Sequence, residues 1–195
     1  MAVYNLKPTV MEFFDVYDEN NNPLNHTKER RKVHQDGDWH RTSQVWVMND
    51  KKEILCNLRS RSKDLFPNYW DLSIGGHVSA GDTYEETAKR ELWEELGLKI
   101  IDIELKFLSQ EKVDGIDLKN NLIDREHARL FLYLTSKQVN EFTIQEEEIE
   151  KIEYFSIEKL LEIVRTQEAS TFKVVPIKKH FIKILNTLKV FSAEK

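Results

Sequence analysis

Only one cysteine, Cys56, occurs in the 195 residues, so no disulfide can form within the chain, and a reducing cytoplasm is the expected compartment. Long apolar runs are missing as well: no stretch reaches the roughly 20 residues of a membrane-spanning helix. The opening MAVYNLKPTVMEFFDVYDENNN has no apolar run after a basic start, so no secretory leader is expected. An excess of positive charge is also lacking. With a net charge of −5, nothing in the balance draws in a nucleic acid polymer or an anionic membrane. Glycine is scarce, six in all, so the adjacent pair Gly75-Gly76 marks a place where the backbone needs unusual freedom.

What remains is an ordinary globular composition, 40% hydrophobic and 32% charged, with enough chain for one core. Residues 11–195 are expected to form a single domain, with 1–10 as an extension. Met11 to Tyr17 reads as a strand stopped by the turn-rich DENNNP, and a charged segment then runs to His40. Gln44 to Met48 and Glu53 to Arg59 read as a hairpin about Asn49-Asp50-Lys51-Lys52. SRSKDLFPNYW is irregular, and Trp70 to Val78 is extended again.

A helix is expected after Asp82, read as the cap with Glu85 at the third position, and Gly97 offers a left-handed stop. Tyr84, Ala88, Leu92 and Leu96 would be its buried stripe. Further strands are expected at Leu98–Lys112, Ala128–Thr135 and Ile149–Phe155, and helices at Ser156–Arg165 and Ile177–Val190. The last helix carries Lys178, Lys179, Lys183 and Lys189 beside Phe181, Ile184, Leu185 and Leu188, and reads as a packed lid. The run QEEEIEK at 145–151 reads as a solvated loop and strand start. The fold class is α/β (α+β), strands around a central helix with closing helices.

Residues three and four apart on a helix are neighbours, so Glu91, Glu94 and Glu95 share one face. Like charges that close repel, and Mg²⁺ or Mn²⁺, which prefer carboxylate oxygens, reverse the sign. A solvated acidic face is the alternative that spacing alone leaves open. Around these acids stands a fixed pattern: Gly76, five residues, Asp82, seven residues, Arg90-Glu91-Leu92, one residue, Glu94-Glu95, one residue, Gly97-Leu98. This resembles the Nudix box, with one departure, Asp82 where Glu is usual.

The resemblance implies a Nudix-type α/β/α sandwich with a mixed sheet and box helix. It also implies cleavage of a phosphoanhydride in a small-molecule diphosphate, either a nucleoside di- or triphosphate or a derivative, with Mg²⁺ (or Mn²⁺) as cofactor. Carried over, Glu91, Glu94 and Glu95 ligate metal, Glu91 is a candidate base, and Arg90 orients the carboxylates. Gly76 lets the backbone approach the phosphates and counts with the metal set, and Glu126 is a further base or ligand. Gly75, Arg59, Arg61, Lys63 and Trp70 are candidate substrate contacts; Phe66, Tyr69, Trp46 and Trp39 either stack on a base or fill the core. A homodimer is common for such folds.

HRTSQVWVMN, EILCNLRS, FPNYWDLSIGGHVSAGD and IDREHARLFLYL are similar to the branch near isopentenyl diphosphate isomerase. That enzyme's cysteine would fall at Gly75, while Cys56 sits on the preceding strand as packing, so the isomerase is not expected. His40, His77, Asp124 and Glu126, with His34, fall near that enzyme's His/carboxylate metal site, or are hydrogen-bonding histidines. A Nudix-shaped binding module without turnover is the third reading.

Overall fold

The computed structural model describes residues 11–63, 65–117, 122–166 and 172–193. The expected extension at 1–10 lies outside the described residues. Nine strands form one mixed sheet. Its axis is β3 (Trp39–Asn49), which runs parallel to β8 (Leu122–Thr135) over its whole length. On its other edge β3 meets, antiparallel, β1 (Phe13–Tyr17) at Trp39, β6 (Ile74–His77) at 42–45, and β4 (Glu53–Arg59) at Met48. β2 (Pro23–Glu29) and β7 (Leu105–Asp117) extend the two flanks antiparallel to β1 and β8. β5 (Trp70–Asp71) and β9 (Ile149–Ser156) both pair with β4.

Period-2 alternation divides the apolar residues between two layers. Trp46, Met48, Leu130 and Leu132 face α3 (Ile157–Thr166) and α4 (Lys178–Ala193). Val45, Val47, Phe131 and Tyr133 face α2 (Tyr84–Leu96). The result is the expected α/β/α sandwich. Phe181, Ile184, Leu185 and Leu188 of α4 are buried in the first layer, so the basic terminal helix is a packed lid. No helix among the described residues is long and apolar enough to cross a membrane.

Several sequence expectations need correction. The segment read as turn and charged linker contains β2 and a seven-residue helix, α1 (Arg30–Asp36). β2 is a polar edge strand with no buried residue, so it shows no alternation. α1 buries only Val33 and is stopped by Gly37 at φ 69°. The α2 cap is Thr83, not Asp82. Thr83 Oγ1 accepts from Glu86 N (3.2 Å) and Thr83 N donates to the Glu86 carboxylate (2.9 Å). The strand expected from Leu98 starts at Leu105, after a 3₁₀ turn at Ile100–Asp102, and the one expected from Ala128 starts at Leu122.

Candidate active site

β4 leaves β3 after the Met48↔Ile54 pair, and β6 fills the gap. This divergence opens a cavity of about 390 Å³, lined by β6, the inner face of α2, Lys63, Leu65, Gln145 and Glu148. At Gly75, glycine is a steric requirement; at Gly76 the Glu91 side chain would have to shift. A Cβ on Gly75 would lie 2.1 Å from Ser43 O, and one on Gly76 would lie 2.6 Å from Glu91 Oε1. The backbone of β6 therefore touches β3 on one side and the box carboxylate on the other.

Glu91, Glu94 and Glu95 all reach this cavity. Arg90 Nη1 lies 2.9 Å from Glu91 Oε1 and 3.1 Å from Glu94 Oε2, so one guanidinium aligns two of the acids. Burial raises the Glu91 carboxyl to about 7, opposed by Arg90 and reinforced by Glu94. Glu95 is pushed well above the usual carboxylate range by burial and by the charges of Glu91 and Glu148. The donor set fits a hard divalent cation, because every donor is a carboxylate oxygen and one guanidinium stands beside three acids.

Across the cavity stands a second cluster. His34, His40, His77 and Asp124 each offer a ligand atom, all within 4.8 Å of one another. His34 Nδ1 is 2.7 Å from Arg30 O and His40 Nδ1 is 3.1 Å from Asp38 O. Those carbonyls take the Nδ1 protons, which leaves the Nε2 lone pairs turned inward. His40 Nε2 is buried with no hydrogen-bond partner, as is Asp124 Oδ1. Burial lowers His40 to about 4 and His77 well below its ordinary value, so both rings are neutral at pH 7. Phe14 stacks on both, with centroids at 5.4 and 4.8 Å. Glu126 joins the two clusters. It accepts from Thr42 Oγ1 (3.1 Å), lies 3.6 Å from His77 Nε2, and is raised by burial and by Asp124.

These shifts have a thermodynamic consequence. A carboxyl raised in the folded state binds a proton that the unfolded chain has already released, so stability falls as pH rises toward the folded value. Depressed histidines act oppositely, but only below pH 6.5, their ordinary value. In EDTA, the melting temperature should therefore drop between pH 6.5 and 8, with Glu91→Gln flattening the drop. A rise over that window would contradict these assignments.

Arg59 and Lys63 line the cavity as expected from the sequence, Arg59 with Asp71 at 3.7 Å and Lys63 paired with Glu148. Two expected contacts do not reach it. Arg61 is paired with Glu150 at 3.0 Å with a largely exposed side chain, and Trp70 is 6% exposed in the core, stacked on Phe172 at 4.6 Å. Trp46 is fully buried, Trp39 stacks on His127 at 4.8 Å, and Tyr69 packs against the core, with the exposed Phe66 ring 5.7 Å from it. Glu12 and Arg30, an ion pair at 2.8 Å, also line the cavity. No sequence signal marked them: Arg30 opens α1, which periodicity failed to show, and Glu12, in the strand expected from Met11, reaches the cavity through its pairing with Arg30.

Comparison with known proteins agrees with this architecture. A protein named Nudix hydrolase 3 from Arabidopsis thaliana is 34% identical over 151 residues, covering 76% of this chain and 20% of that much longer protein. An isopentenyl-diphosphate Delta-isomerase 2 from Photorhabdus laumondii is 31% identical over 121 residues, 62% of this chain and 66% of its own. The crystal structure of DR0079 from Deinococcus radiodurans superposes with a TM-score of 0.68 at 22% identity, over 88% of this chain and 98% of that one. Residues 38–176 match the NUDIX domain model, and the chain belongs to that family.

Proposed function

We propose that the chain hydrolyses a phosphoanhydride in a small-molecule diphosphate, such as a nucleoside di- or triphosphate or a derivative, with Mg²⁺ or Mn²⁺. The observation that carries this reading is the convergence of Glu91, Glu94 and Glu95 on one cavity beside Gly76, with the Glu91 and Glu95 carboxyls raised by burial. Glu91, Glu94 and Glu95 would hold the cation, with Glu126 facing them. The bound ion supplies neutralisation of the diphosphate and polarisation of its phosphoryl oxygens.

The side chains account for the remaining steps. Arg59 and Lys63 meet the phosphate charge at the mouth, and Gly76 lets the β6 backbone come close. Glu91, at the cavity wall beside Gly76, is the candidate general base. Its carboxylate takes a proton from water as the new oxygen–phosphorus bond forms. The bridging phosphorus–oxygen bond breaks, and the phosphate leaving group departs with the electron pair. Leu65, with Phe66 beyond it, gives the rest of the substrate an apolar surface.

The histidine cluster favours a second reading, an isomerase-like enzyme. Against it stands the cradle at Gly75. The resemblance puts that enzyme's cysteine at this position, where a Cβ would lie 2.1 Å from Ser43 O. Cys56 cannot substitute, since it is fully buried in the core and its thiol is pushed well up by burial. In the hydrolase His34, His40, His77 and Asp124 would hold a second cation, of the type that imidazoles suit, Zn²⁺ or another transition metal.

A panel of nucleotides and diphosphate metabolites, assayed with Mg²⁺ and with Mn²⁺ for released phosphate or pyrophosphate, tests the proposal. Cation-dependent release is expected, together with no dimethylallyl isomer from isopentenyl diphosphate. Detecting that isomer would select the other chemistry, and cation-dependent binding without release would make the chain a binding module.

A further inference from the structure

Every second residue of β3 from His40 to Trp46 faces the α4 layer, so one row runs from the histidine cluster, through the cavity, to the core. Its middle members are Thr42, which donates to Glu126, and Gln44, which lines the cavity. α4 covers the far end of the row with two successive residues. Phe181, fully buried, meets Trp46 edge-on with centroids at 6.0 Å, and His180 Nε2 lies 3.0 Å from Gln44 Oε1. Burial lowers the His180 pKa, so at pH 7 the ring is neutral with a single N–H. The cavity is acidic, with Glu91, Glu95 and Glu126 in its wall, so the favourable amide orientation gives the oxygen to the imidazole N–H and leaves the NH₂ for the cavity. Among the described residues that NH₂ has no partner. Neither cation binding nor attack on phosphorus uses this pair.

The lining of the cavity also limits what a diphosphate carries into it. Leu65 is the one apolar side chain there among the described residues, and it is 47% exposed, so it offers little dry surface. A hydrocarbon chain inside would strip water from Gln44, Thr42 and Glu126 and return no hydrogen bond. A flat base finds one ring in the wall, His77, which already packs on Phe14 and His40 at 4.8 and 5.2 Å. A hydroxylated group satisfies the wall, since each hydroxyl accepts from an amide NH₂ and donates to a carboxylate.

We propose that Gln44 is a specificity-determining residue, its NH₂ donating to a hydroxyl oxygen of a sugar or polyol attached to the diphosphate. His180 acts through Gln44 and is a positioning residue. With the amide oxygen tied to α4, the NH₂ is presented in one orientation, and the side-chain freedom is lost before the substrate arrives. The inference rests on the hydrolase reading above and narrows it to diphosphates whose enclosed part is hydroxylated.

The full chain's kcat/KM for uridine diphosphate glucose and for isopentenyl diphosphate, each with Mg²⁺, tests it through their ratio, which a loss of folded protein leaves unchanged. The wild type should favour the sugar compound by about 100-fold or more, as a site built to hydrogen-bond a hydroxyl does. Gln44→Met, which keeps the length and removes the N–H, should lower that ratio about 10-fold, the effect of one hydrogen bond. His180→Phe should give a smaller loss in the same direction, and His180→Gln, which keeps an N–H donor, should retain the wild-type ratio. A ratio unchanged in Gln44→Met or in His180→Phe, or a wild type that favours isopentenyl diphosphate, would overturn the proposal. Cleavage of neither compound would tell against the hydrolase reading instead. The same ratio taken from dissociation constants then decides for or against Gln44, and binding of neither overturns its role.

Discussion

Glu95→Gln should lower diphosphate hydrolysis by about 100- to 1,000-fold, the usual effect of removing one charged partner of a transition state, while the fold survives. The substitution is isosteric, and burial already pushes the Glu95 carboxyl toward its neutral form. Amide for acid thus costs the metal-free protein little, and at pH 8 it relieves repulsion from Glu91 and Glu148. The expected pattern is an unchanged or higher melting temperature in EDTA, with activity lost and not restored by excess Mg²⁺. Glu94→Gln should act in the same direction and more weakly, because its side chain is 37% exposed and Arg90 holds it 3.1 Å away. Full activity in Glu95→Gln, with the fold intact, would remove the metal assignment.

Gly75→Ala should be the most damaging single methyl in the molecule. Its Cβ would stand 2.1 Å from Ser43 O, a backbone atom of the central strand that cannot turn aside as a side chain can. Overpacking in a well-packed site costs about 1–3 kcal/mol, occasionally more, and a collision with backbone belongs at the upper end. Relief requires β6 to separate from β3, which breaks the pairing from Thr42↔His77 to Val45↔Ile74. That movement carries Gly76 and His77 with it, so both clusters should lose their alignment. A thermal melt beside an activity assay reads both effects, and a melting temperature within 2 °C of wild type would mean that the Gly75 cradle does not exist.

Much of this arrangement was legible because it is local. Tyr84, Ala88, Leu92 and Leu96 repeat at helical spacing and are all buried, and Gly97 stops the helix at φ 67°. The carboxylate face follows from the same spacing. Thr83 was overlooked in favour of Asp82 because both residues can cap, and only the hydrogen bonds with Glu86 decide between them. β2 and α1 escaped because an exposed edge strand and a seven-residue helix with one buried residue have almost no periodicity. The site's remaining parts depend on pairings distant in sequence. Trp70 is adjacent to the box in the chain but turns to Phe155 and Phe172, whereas Glu148 is more than 50 residues from Glu91 and reaches it through a bulge. His34, His40 and His77 come from α1, β3 and β6; periodicity did not join them, and it was the resemblance to the isomerase branch that grouped them with Asp124, which strand register brings beside them.

Calorimetric titration of Mn²⁺ into the metal-free protein, run at pH 6.5 in two buffers of different ionisation enthalpy, addresses the central claim. If divalent cations complete the box, binding must expel protons held by Glu91 and Glu95, so the apparent enthalpy should differ between buffers. The difference should shrink at pH 8.5 and in Glu95→Gln. Binding that releases no proton, or that Glu95→Gln leaves unaltered, would place the cation elsewhere and contradict the account.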